Sequence, residues 1–340
     1  MGKTALVIGV GGQDGSYLAE LLIKKGYRVV GLIRRASNDN RQRIKHIKEL
    51  ELRYADVTDP FSLIWVMRDV KPDEIYNLSA MSHVGISWEL PYYSAQVDAV
   101  GVLNVLEAAR LECPNARIYQ ASTSELFDGL TYPQNEKTIK NPVSPYGTAK
   151  LYGFQIAKNY RDGWGMYVCN GILFNHESPR RGLNFVTQKI INAVDEVKLG
   201  NIKAKRDWGY APNYCEAMWL MLQQKKPDDY VVATGETHSV KEFVKWTEEV
   251  SGRKLKIIHD KGFDRPTDVP VLCGDATKAK KKLKWKAEVK GKELARIMYQ
   301  AKIRDNMLNV PMLSSLSFTT TMKYNNKFKK FIIKLFRIEL

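Results

Sequence analysis

A chain of 340 residues that is 44% hydrophobic can bury one large two-lobed domain or two closely packed ones, which excludes a disordered or fibrous protein. The formal net charge of +16 favours anionic partners, yet it is diffuse apart from Lys278 to Lys286 and the C-terminal tail, and no compact nucleic-acid motif appears; a nucleotide ligand accounts for it more simply. The four cysteines lack zinc-like or disulfide-scaffold spacing, no apolar run reaches membrane-spanning length, and the first residues enter a strand pattern directly, so a soluble, cytoplasmic, metal-free protein with reduced thiols is expected.

The apolar run Thr4 to Val10 predicts a first strand. It ends in Gly9-Val10-Gly11-Gly12-Gln13-Asp14-Gly15, and Ser16 to Lys25 then carries helical spacing at Tyr17, Leu18, Leu21 and Leu22. Strand, glycine turn and helix together suit a dinucleotide: the glycines let backbone approach a pyrophosphate, and the helix N-terminus favours its charge. The next strand, Arg28 to Ile33, ends at Arg34 and Arg35, where an NAD-binding chain would offer a carboxylate to the ribose. Two guanidinium forks suit a 2′-phosphate instead, so the expected cofactor is NADP(H).

A third strand leads to Asp56 and Val57, Pro60 to Asp69 reads as a helix, and Glu74 to Leu78 as a fourth strand closing in Ser79-Ala80-Met81-Ser82-His83. Small residues there leave room for a cofactor. His83, alone among apolar neighbours, reads as a hydrogen-bonded structural residue. Ser94 to Leu111 predicts one long helix, and Ala116 to Ala121 the strand after it. Strands alternating with helices predict an α/β fold built on a Rossmann-like, doubly wound parallel sheet.

Tyr119 to Lys150 concentrates the chemistry. A polar cluster, Ser122-Thr123-Ser124-Glu125, follows the strand, and Ser144-Pro145-Tyr146-Gly147-Thr148-Ala149-Lys150 opens a helix running to about Arg161. Tyr146 and Lys150, four residues apart, share a helix face. The lysine cation is expected to favour phenolate and so lower the Tyr146 pKa from about 10. A tyrosine tuned in that way takes the proton of an alcohol while hydride leaves the same carbon.

Tyr167 to Phe174 predicts another buried strand, leading into Asn175-His176-Glu177-Ser178-Pro179-Arg180-Arg181-Gly182. Beyond it the chain is less regular, with helices near Phe185 to Val197, Asn213 to Gln224 and Val240 to Ser251 and a strand at Tyr230 to Thr234. This half is expected to form the smaller lobe and hold the substrate. Lys205 to Gly209 and Asp264 to Asp268 read either as clamps for a diphosphate or as surface loops. The tail Met322 to Leu340 mixes Phe and Ile with Lys and reads as a basic terminal extension rather than a membrane-surface helix.

Together these stretches resemble the extended short-chain dehydrogenase/reductase superfamily and, within it, the GDP-mannose 4,6-dehydratase family, over about residues 3 to 310. The resemblance rests on residues 11 to 20, on Gln120 to Leu126, on Asn170 to Gly182, on Ala204 to Gly209 and on Ala233 to Glu236. It implies that Thr123, Glu125, Tyr146 and Lys150 are catalytic. Cofactor contacts implied are Gly9, Gly12, Gln13, Asp14, Gly15, Arg34, Arg35, Asp56, Val57, Leu78, Ser79, Ala80, Ser82, Tyr93, Tyr146, Lys150, His176 and Arg181. Substrate contacts implied are Asn175, Asn184, Lys189, Arg206 and Arg265. Residues 1–174 would bind the cofactor, with later segments returning to them, 175–310 would mainly hold the substrate, and 311–340 would extend beyond.

The implied reaction turns GDP-mannose into GDP-4-keto-6-deoxy-mannose in a homodimer or homotetramer whose Arg35 to Arg43 loop reaches a neighbouring cofactor. Glu125 distinguishes it from a nucleotide-sugar 4-epimerase, because only elimination of water needs an acid/base group at carbon 5. A dTDP-glucose dehydratase would carry an acidic residue at Ser124, and a non-catalytic cofactor-binding scaffold would not need all four catalytic residues. Two segments, one leading into Leu199 and one between Gly252 and Arg265, are shorter than the family pattern.

Overall fold

In the computed structural model, which describes residues 2–37 and 41–308, the apolar runs stack as a central sheet. Strands β1 (Thr4–Ile8), β2 (Arg28–Ile33), β3 (Glu51–Tyr54), β4 (Glu74–Asn77), β5 (Arg117–Thr123) and β6 (Val168–Leu173) are joined by β11 (Asp229–Val232). Their order is β11-β6-β5-β4-β1-β2-β3, and every pairing is parallel. Residues such as Leu6, Val7, Val30, Ile75, Ile118 and Val168 are buried because both faces of the sheet are covered.

One face packs on α1 (Gln13–Lys24) and α8 (Ala211–Leu222) through Leu18, Leu22, Met218 and Met221. The other packs on α2 (Pro60–Val70), α5 (Gly101–Glu112) and α6 (Pro145–Trp164) through Leu63, Met67, Val105, Leu106 and Ala157. The strand order reverses between β1 and β4, and in such sheets the crevice at the carboxyl ends beside the reversal takes the ligand.

The second half builds a smaller lobe. It contains β7 (His176–Glu177), α7 (Val186–Asn192), β8 (Glu196–Leu199), β9 (Lys205–Arg206), β10 (Gly209–Tyr210), β12 (His238–Ser239), α9 (Val240–Ser251), β13 (Lys256–His259) and α11 (Gly291–Leu308), while α10 (Thr277–Leu283) returns to the main sheet, its Ala279 and Leu283 buried in the core that α8 and β11 share. Trp208, Phe243, Ile190, Leu294 and Met298 form its core. The helix expected over Phe185 to Val197 stops at Asn192, and Glu196–Leu199 is a strand instead, because its alternating burial sets Val197 and Leu199 against the lobe while Glu196 and Lys198 face out. β8 pairs in parallel with β13, so the two segments that read as short come together as one two-stranded ribbon. Among the described residues no helix is long and apolar enough to cross a membrane. The 311–340 extension and its amphipathic stretch lie outside the described residues.

Candidate active site

The glycine turn is built for close approach. Gly9 has φ +85, and a Cβ added there would press on the Leu78 carbonyl at 3.2 Å. A Cβ at Gly15 would lie 2.4 Å from the Gly9 carbonyl oxygen, so α1 can begin directly beneath β1 only with glycine there. Gly12 caps α1 without any side-chain hydrogen bond, leaving the first backbone N–H groups pointing outward. A helix start of this kind fits a pyrophosphate.

Asp14 and His176 strap this turn to the second half of the chain. His176 Nε2 meets Asp14 Oδ2 at 2.7 Å, its Nδ1 faces the Phe174 carbonyl at 2.7 Å, and its ring stacks on Tyr214. Burial opposes both charges. The imidazolium beside Asp14 nonetheless outweighs it and holds that carboxyl below its usual pKa, while Asp14 raises that of His176.

The catalytic candidates converge from three elements. Thr123 ends β5, Glu125 sits in the short turn Ser124–Leu126, and Tyr146 and Lys150 stand on α6; all four are buried, each at most 8% exposed. Ser144 starts α6, its Oγ accepting from Gly147 N at 3.0 Å. A Cβ at Gly147 would lie 2.5 Å from the Glu125 carbonyl oxygen, so this glycine lets the helix bearing the phenol press on the turn bearing the carboxylate. Thr123 Oγ1 accepts from Glu125 N at 3.2 Å, and the Thr123 hydroxyl also meets the Tyr146 phenol.

Lys150 Nζ donates to the Ala121 carbonyl at 3.1 Å and lies 5.9 Å from the Tyr146 ring centroid. The expectation that Lys150 depresses the phenol's pKa is corrected. Burial pushes Tyr146 up, the Asp98 and Glu125 carboxylates add to it, and only Thr123 and Arg181 pull it down. The charge facing Lys150 is Asp98, 3.7 Å away and absent from the sequence reading. One signal pointed to it: a lone carboxylate among Val97 and Ala99 on the buried side of an apolar-periodic stretch. Ser87 was missed too, and its Oγ accepts from Tyr146 N at 3.2 Å.

One cavity of about 1210 Å³ joins the two lobes, and every expected catalytic, cofactor and substrate residue lines it except Arg35. Asn175 Oδ1 is buried there with no hydrogen-bond partner. Arg206 is less available than its sequence context implied, because it donates to the Val269 carbonyl at 2.7 Å and to Asp268 at 3.0 Å, bracing the loop that presents Arg265. Lys189 Nζ sits 3.5 Å over the Phe263 ring. His83 also lines the cavity while doing the structural work expected of it: its Nδ1 accepts from Ile86 N at 3.1 Å and caps α3 (Val84–Glu89). Burial, with Arg265 and Lys189 nearby, lowers its pKa and keeps it a neutral acceptor.

A doubly wound parallel sheet, a bare glycine turn at its reversal point and a Thr/Glu/Tyr/Lys cluster in the same cavity define the extended short-chain dehydrogenase/reductase class. The family model described as GDP-mannose 4,6 dehydratase matches residues 6–298. A GDP-mannose 4,6 dehydratase of Drosophila melanogaster is 55% identical over 263 residues, covering 71% of this chain and 66% of that protein. This chain belongs to the GDP-mannose 4,6-dehydratase family.

Among solved structures, the fold is shared with a Thermus thermophilus UDP-glucose 4-epimerase in complex with NAD, at TM-score 0.78 and 23% identity over 87% of this chain and 98% of that one. It is shared too with a Bacillus anthracis dTDP-glucose 4,6-dehydratase in complex with NAD, at TM-score 0.79 and 18% identity over 89% and 97%. These complexes overturn the expectation of NADP(H), since they hold NAD. Arg35 stands off the cavity with its guanidinium on the Ala36 carbonyl at 2.5 Å, and Arg34 donates to the Tyr93 hydroxyl.

Proposed function

We propose that the chain carries out its family's reaction, converting GDP-mannose into GDP-4-keto-6-deoxy-mannose with loss of water and no net redox change. The single observation that supports this best is the placement of Glu125 and Tyr146 in one cavity, held together at Gly147. An epimerase needs the phenol but not the carboxylate. In this reading the expected site residues keep their roles, except Arg35, and Arg206, which braces the loop of Arg265 instead of facing the substrate.

Tyr146 takes the proton of the 4-hydroxyl, and Thr123 holds the same oxygen. The glycine turn and the start of α1 would hold a cofactor read as NAD(H) from the complexes above, which would supply a reversible hydride acceptor for carbons 4 and 6. The new ketone acidifies the carbon 5 proton; Glu125 removes it and protonates the departing 6-hydroxyl, so one water leaves, and one proton then enters carbon 5 as carbon 6 is reduced, which balances the proton that Tyr146 took and gives up again. Gly9, Gly12, Gly15 and the start of α1 face the pyrophosphate, with Asp14 and His176 fixing the turn. Asn175, Asn184, Lys189 and Arg265 face the GDP moiety. Residues 1–174 with β11 hold the cofactor, 175–310 mainly the substrate, in a cytoplasmic homo-oligomer.

The test is turnover of GDP-mannose with NAD⁺, and separately with NADP⁺, followed by mass spectrometry for a keto-sugar without accumulation of reduced cofactor. Glu125→Gln is expected to keep cofactor binding and lose at least roughly 100-fold in product formation. Undiminished product from Glu125→Gln would remove the assigned role.

A further inference from the structure

The helix expected over Ser94 to Leu111 is interrupted. After α4 (Pro91–Ala95) it widens to π spacing over Gln96–Val100 before continuing as α5. Such turns recur at functional sites, where they re-aim a side chain. Asp98, at the middle of this one, has no exposed surface at all. A buried carboxylate is costly unless paired, and each of its oxygens is engaged. Oδ1 accepts from Met81 N at 3.2 Å and faces Lys150 Nζ at 3.7 Å, while Oδ2 accepts from Ser94 Oγ at 3.3 Å. The close approach is itself built in: a Cβ on Gly153, three residues along α6 from Lys150, would lie 3.0 Å from the Asp98 carbonyl oxygen.

We propose that Asp98 is a positioning residue, whose carboxylate keeps the Lys150 ammonium charged and fixed between the Ala121 carbonyl and the Tyr146 ring. This deepens the dehydratase reading and rests on it for the role of Lys150. Without Asp98 the ammonium would have one carbonyl for company in a buried site. Burial lowers the Lys150 pKa, and Asp98 is the charge that opposes it. The charged and titratable groups around the pair are few. Facing the phenol are Asp98 from the π turn, Glu125 from the turn after β5 and Arg181 from the loop after β7, while α4 adds only the Ser94 hydroxyl to the carboxylate. Asp98 is also bonded through Met81 N to the chain that follows β4, so it ties the catalytic helix to the expected cofactor wall.

Asp98→Asn keeps the shape and removes the charge. The Lys150 side-chain nitrogen resonance, assigned by its loss in Lys150→Met, should titrate at lower pH in Asp98→Asn than in the unsubstituted protein. The alkaline limit of kcat should fall with it, with kcat down roughly 10- to 100-fold and KM for GDP-mannose little changed. In a Lys150→Met background the same substitution should cost no further kcat. An unmoved Lys150 titration, or a loss that simply adds in the Lys150→Met background, would overturn the proposal. The titration needs no turnover, so an unsubstituted protein that makes no keto-sugar would sink the dehydratase reading while this inference is still decided. Should Asp98→Asn not fold, Ser94→Ala removes one hydrogen bond from Oδ2 and should move the same titration in the same direction by less; no movement there overturns it equally.

Discussion

Asp14 and His176 shift each other's pKa in opposite directions, and that makes the strength of their strap depend on pH in a calculable direction. The Asp14 pKa is held below its ordinary 3.8, so its contribution is full above that value and disappears as pH falls through the lowered pKa. The His176 pKa is raised above its ordinary 6.5, so its contribution is full below that value and disappears as pH rises through the raised pKa. The strap is therefore strongest between these two ordinary values. Urea unfolding at pH 5 should separate the protein from His176→Asn by more than unfolding at pH 9 does. Equal separation at both would show that stacking on Tyr214, not charge, carries the contact.

The residues that sequence located best are those whose chemistry is rare in their setting. Glycines between a strand and a helix leave few structural explanations, whereas a tyrosine four before a lysine is common on helices and gains weight only from the polar cluster Ser122 to Glu125 that precedes it. Asp98 was harder to find because a single carboxylate in an apolar-periodic stretch reads as an interruption of the pattern. Only the π turn and the glycine opposite it reveal that the stretch is bent around the residue.

At the level of elements, α6 depends on its first turn. Ser144 is buried and satisfies Gly147 N, and the next residues carry Tyr146 and Lys150. Ser144→Ala should destabilise the protein by about 1 kcal/mol. Thermal melting measures that cost, and kcat should fall while cofactor affinity holds. A lower melting temperature with unchanged kcat would separate the cap from the placement of Tyr146.

The strands of the main sheet were legible because buried parallel strands are continuous apolar runs, and β2 and α9 fall where the pattern put them. β8 was not, since four residues of alternating Glu, Val, Lys and Leu after a helix also continue a helical period. Its partner, β13, lies about sixty residues downstream, and pairing over such a span leaves no local trace. The two-residue pairs β7 with β10 and β9 with β12 are equally invisible to periodicity, being fixed by the close packing of the loops around them.

Across the whole molecule, the cavity takes its walls from both lobes, so a ligand that fills it should bind the folded state alone. NAD⁺ and GDP-mannose at about 100 times their dissociation constants should each add about 2.7 kcal/mol to the unfolding free energy. Differential scanning calorimetry with each ligand and with both would measure this. If GDP-mannose raised the melting temperature equally in Arg265→Ala, that arginine would have no part in holding the nucleotide.

The ribbon of β8 and β13 hydrogen-bonds only within itself, apart from the seven-stranded sheet. The chain on either side of it can therefore be trimmed or lengthened without shifting the register of the seven-stranded sheet. Insertions at Ala193 to Asp195 or at Gly252 to Lys254 should reshape the cavity wall at Lys198 and Leu199 and leave the cluster of Thr123, Glu125, Tyr146 and Lys150 in place. This wall of the cavity is thus mechanically uncoupled from the strand end beside the buried cluster.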